Sequence, residues 1–63
     1  MAQTEQMSAL TKTQEQYGKT GFTENHENYR RVGFKMGPKV ISAIGSTWGE
    51  ALFNLARRVR NVS

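Results

Sequence analysis

The chain has 63 residues, no cysteine, one histidine, and nine lysine or arginine side chains against five acids, for a formal charge of +4. That composition excludes a disulfide framework and a thiolate metal centre, and His26 alone would leave a zinc ion needing three oxygen ligands. A single core in so short a chain rarely supplies more than ~3–5 kcal/mol, so a protein partner or self-association is the expected source of further stability.

Residues 1–20 are rich in Gln and Thr and lack the apolar run that a secretory signal needs. The longest uncharged run, Val40 to Gly49, is half a membrane span and contains Ser42, Gly45, Ser46, Thr47 and Gly49. The expectation is a chain that does not cross a membrane and resides in the cytoplasm or within a virion or other large assembly.

In chain order, residues 1–21 read as a polar tail ordered mainly by partners. Met7, Leu10 and Tyr17 are its large apolar side chains; Leu10, Gln14 and Tyr17 share a helical face, and Gly18 suits the C-cap. The second unit, 22–63, opens with Thr23 as a helix N-cap followed by Glu24 and Glu27. This predicts a helix from Glu24 to Val32, ended by Gly33, with Arg30 and Arg31 at its electrostatically preferred end. Gly33 to Pro38 then reads as a hinge.

From Gly37 onward the apolar residues fall at helical spacing. Ile41, Trp48, Leu55 and Val62 recur every seven residues, with Ile44, Leu52 and Val59 three or four places away. An amphipathic helix over 38–61 follows, either continuous or broken at 45–47. Two helical glycines, Gly45 and Gly49, would cost roughly 2 kcal/mol, and Thr47 with Glu50 forms a capping box, so the broken form has the better local mechanism. Val40 to Arg60 then has the outline of a helix-turn-helix, although Pro38 shortens its first helix and the cations sit at the far end of its second. The fold class read from the sequence is all-α, with two or three helical segments.

Catalysis finds no support. A helix would send His26 to a different face from Glu24 and Glu27, and the glycines match neither a Walker nor a dinucleotide spacing. No catalytic residue, cofactor, metal or small-molecule substrate is expected. Charge is informative: residues 1–28 carry a net −2 and residues 29–63 a net +6, which points the second half at something anionic.

The functional expectation is therefore a small non-enzymatic assembly protein that docks a basic amphipathic helix on a larger complex. Ile41, Ile44, Trp48, Leu52, Leu55 and Val59 are the docking stripe. Arg30, Arg31, Lys35, Lys39, Arg57, Arg58 and Arg60 are the candidate contacts to nucleic acid or another anionic partner. The alternatives are a free-standing basic nucleic-acid-binding protein and a helix lying on a membrane surface.

Overall fold

A computed structural model describes residues 2–62, with side chains described from 4 to 61. The side chain of Val62, fourth in the seven-residue recurrence, lies outside the described residues, as do Met1 and Ser63. The element order is α1 (Ala2–Tyr17), β1 (Phe22–Asn25), β2 (Arg30–Met36), β3 (Lys39–Gly45) and α2 (Trp48–Val62). The strands form one antiparallel sheet in the order β1-β2-β3.

The all-α expectation is overturned, and the reasons are local. Between Met36 and Lys39 only Gly37 and Pro38 intervene, and those two flanking residues are themselves paired. Gly37 has φ +62°. Proline fixes φ near −65°, so the turn takes glycine first with positive φ and proline second, the type II′ pattern that matches the twist of a hairpin. Pro38 is thus a turn residue and does not open a helix. The flanking segments hold Val32, Val40, Ile41 and Ile44, β-branched side chains that pack well on a pleated surface. Val40 to Ile44 is strand, which removes the outline of a helix-turn-helix together with any helix beginning at Pro38.

The helix expected over Glu24 to Val32 is likewise two strands and a loop. Thr23, read as an N-cap, pairs with Val32, and Asn25 pairs with Arg30. The intervening loop is closed by the His26 N–H donating to the Tyr29 carbonyl at 3.0 Å. Arg30 and Arg31 begin a strand, so no helix C-terminus accounts for them.

Strand alternation gives the sheet two unlike faces. Val32 and Phe34 share one face with their partners Ala43 and Ile41. Both helices cover this face. From α2 come Trp48, Ala51 and Leu55, flanked by Leu52 and Val59; from α1 comes Ala9, with Tyr17 packed beside it. Tyr17 stacks on Phe34 with ring centroids 4.5 Å apart, tying α1 to the sheet. Thr13, one helical turn from both Ala9 and Tyr17, is buried and donates its hydroxyl to the Ala9 carbonyl at 2.7 Å. Gly18 ends α1 with φ +103° and donates its N–H to the Gln14 carbonyl.

The helical part of the C-terminal stretch starts at the expected cap. Thr47 Oγ1 accepts from the Glu50 N–H at 3.1 Å, as the capping box requires, while Glu50 Oε1 accepts at 3.2 Å from the N–H of Ser46, one residue before the N-cap whose own N–H the box would engage. Gly45, just before the cap, allows α2 to approach β3 closely: a Cβ there would lie 2.6 Å from the Ala51 backbone nitrogen.

Candidate nucleic-acid interface

The residues expected to dock on a partner are largely occupied in the chain's own core. Leu55 is 0% and Trp48 8% exposed, Ile41 is buried, and Leu52 and Val59 are partly buried against them. Ile44 differs: it is 50% exposed, on the face of the sheet turned away from the helices. Ile41 belongs to the seven-residue recurrence only by coincidence, since a strand and a helix both supply the same core.

Three contacts locate the cations. Gly45 meets the first turn of α2, and Asn54 Nδ2 donates to the Ile44 carbonyl at 2.9 Å, so α2 runs back along β3 in the opposite direction. Arg57, Arg58 and Arg60 follow Asn54 at a rise of about 1.5 Å per residue and therefore lie towards the β2–β3 turn, where Lys39 sits. At the end of β2, the Lys35 N–H donates to Thr20 Oγ1 at 3.0 Å, and the Thr20 hydroxyl donates to the Lys35 carbonyl at 3.1 Å. This pair fastens the α1–β1 loop, and with it Lys19, beside Lys35.

The half of the molecule towards the β2–β3 turn thus holds Lys19, Lys35, Lys39, Arg57, Arg58 and Arg60, all six of them exposed, with Arg57 leaning back over Phe53, 6.0 Å from its ring. Of the five glutamates only Glu15, in the last turns of α1, belongs to this end. Both helices also end there, each bringing a dipole equivalent to about −0.5 charge, so the helix ends offset only about one of the six cations. The molecule is 34 Å along its longest axis. With a Debye length of about 8 Å at physiological ionic strength, a ligand at the basic end is screened from the charges at the other.

Arg30 and Arg31 are at that other end, within a different network. The Arg30 guanidinium donates to the His26 carbonyl at 2.9 Å and the Tyr29 carbonyl at 3.3 Å, and lies 5.8 Å from the Trp48 ring centroid. Arg31 lies 5.9 Å from the Tyr29 ring, with Nε 3.8 Å from Glu24 Oε1. Glu24 also meets His26 Nε2 at 2.6 Å. These contacts hold the β1–β2 loop closed. The structure therefore splits the seven candidate cations, placing five at the basic end and two in this network.

Sequence reasoning missed Lys19, because nothing in its local pattern signals that Thr20 will clamp Lys35. It also missed the surface formed by the open face of the sheet. In register across that face lie Phe22, Gly33 and Ser42; on one side of this row are Lys35 and Val40, and on the other Glu24, Arg31 and Ile44. Phe22 covers the missing side chain of Gly33: a Cβ on the glycine would lie 2.8 Å from the tip of the phenyl ring.

Elsewhere, α1 and α2 leave between them an open groove lined by Ala9, Lys12, Trp48 and Leu52 among others. Among the described residues no cluster of His, Asp or Glu side chains is arranged to hold a metal ion, and no helix is long and apolar enough to cross a membrane. Comparison of the chain with family models, with curated proteins and with solved structures finds no match.

Proposed function

We propose that the chain is a non-enzymatic module, folded on its own core, that binds the phosphate backbone of nucleic acid through its basic end. The observation that carries this reading is the convergence of Lys19, Lys35, Lys39, Arg57, Arg58 and Arg60 from a loop, a hairpin and a helix. Surface lysines and arginines scattered for solubility have no reason to converge so. Phosphate contacts of this kind supply affinity that falls with salt, and little choice of sequence.

Burial favours this reading over an assembly subunit that docks through α2. A docking helix needs its apolar stripe outward, whereas Trp48 and Leu55 face the sheet. The membrane-surface reading relied on the same stripe. An assembly role keeps one specific support: Phe53 is 60% exposed, with the Arg57 guanidinium 6.0 Å from its ring. Exposed aromatic and arginine side chains are enriched among the anchors of protein interfaces.

The two readings separate in one experiment. Binding to a duplex oligonucleotide, measured at several salt concentrations, weakens when Lys35→Gln and Arg58→Gln are combined and is little changed by Phe53→Ala. Binding that is indifferent to Lys35 and Arg58 overturns the nucleic-acid reading.

A further inference from the structure

We infer that the open face of the sheet is a stacking platform for unpaired bases, so that the ligand of the basic end is a single strand. This rests on the nucleic-acid reading above and adds the class of nucleic acid. Single-strand binders without sequence preference combine a basic track for the backbone with an aromatic surface on which bases stack, an arrangement tolerant of sequence because every base has a π-face.

The central row of the face supplies the aromatic surface, the Phe22 ring lying over the buried Gly33. Gly33 has no side chain, and Ser42 is the next residue across. Beside the Phe22 ring, the small Ser42 lies between two exposed apolar side chains, Val40 at 57% and Ile44 at 50% exposure. On β3 the exposed Val40 and Ile44 flank Ser42, and on β2 Lys35 and Arg31 flank Gly33. Neither helix covers this face, because the buried residues of α1 and α2 belong to the core on the opposite face.

Charge complementarity and continuity identify the occupant. Lys35 stands on the same face as Phe22, two residues along β2 from Gly33, and through Thr20 it adjoins Lys19. Lys39, one residue before Val40, projects to the helix-covered face and is not part of this track. A strand whose phosphates follow Lys19 and Lys35 therefore brings its bases over Phe22, Gly33 and Ser42. A duplex keeps its bases stacked inside and offers this row nothing but backbone. At the far side of the row, Glu24 lies near Arg31 and faces any phosphate with an acid, so the backbone is favoured along the Lys35 side.

The test compares three probes with equal numbers of phosphates: an oligothymidylate, its abasic counterpart, and a duplex. The native chain is expected to bind the oligothymidylate about 5- to 150-fold more tightly than the abasic strand, the range that stacking one base provides. Phe22→Leu, which keeps an apolar cover over Gly33, is expected to remove most of that difference without changing the salt dependence. Lys35→Gln reduces the salt dependence and keeps the preference for bases. Equal binding of the abasic and base-bearing strands overturns the platform and leaves the basic-end reading standing. Failure to bind any of the three at low salt overturns both. The abasic comparison uses the native chain alone, so it decides the matter even where Phe22→Leu does not fold.

Discussion

Leu55 is the largest fully buried side chain among the described residues. It is fully buried where α2 meets the sheet, and truncating such a residue costs about 2–5 kcal/mol. A domain of this size holds roughly 3–5 kcal/mol in all, so Leu55→Ala is expected to leave the chain largely unfolded, seen as loss of the cooperative thermal transition by circular dichroism. Retention of a native-like midpoint would mean that another molecule supplies stability. Gly45→Ala is expected to be costly for a different reason, since the added methyl would meet the Ala51 backbone; crowding of this kind costs about 1–3 kcal/mol. At this scale much was legible in the sequence. The Thr47–Glu50 cap, the Gly18 cap and the apolar character of Ile41, Trp48 and Leu55 are local properties. Whether those three side chains are covered by this chain or by another is a tertiary property, and no spacing rule reports it.

The elements were harder to read, and the β2–β3 hairpin shows why. Gly37 and Pro38 fit a hairpin turn, and they also fit a hinge followed by a helix with proline in its first turn. Ile41, Ile44 and Trp48 fall at helical spacing across the end of a strand, so the local pattern favours a helix that the chain does not form. The alternation of Val32 and Phe34 was the competing signal, masked because Lys35 and Met36 continue it with exposed residues. The cap at Thr47 is expected to contribute about 1 kcal/mol, so Thr47→Ala should lower the unfolding midpoint in denaturant without changing its slope. Asn54 has a separate role at the free edge of β3. A two-residue turn with Met36 and Lys39 paired directs the N–H and C=O groups of Val40, Ser42 and Ile44 outward, and Asn54 engages the Ile44 carbonyl there. Exposed strand edges invite pairing with another chain. Asn54→Ala is expected to cost about 0.5–1 kcal/mol and to promote self-association, read by sedimentation over a concentration series; unchanged sedimentation would show that the edge needs no such guard.

Over the whole molecule, the fold converts a charge imbalance along the sequence into one across space. The sequence showed a basic second half, but not that Arg30 and Arg31 would be drawn into a loop-closing network while Lys19 joined the opposite end. Net charge alone therefore predicts the wrong substitutions. Lys12→Gln and Lys35→Gln remove the same charge, yet only Lys35 stands at the basic end, Lys12 lying beside the groove between the helices. The most direct measurement is the dependence of nucleic-acid affinity on salt for the native chain and these two variants. Four or five phosphate contacts give a slope of log K against log salt of about −3 to −5. Lys35→Gln is expected to reduce its magnitude by about 1, with Lys12→Gln matching the native chain. Equal effects of the two substitutions, or an affinity indifferent to salt, would contradict binding through the basic end.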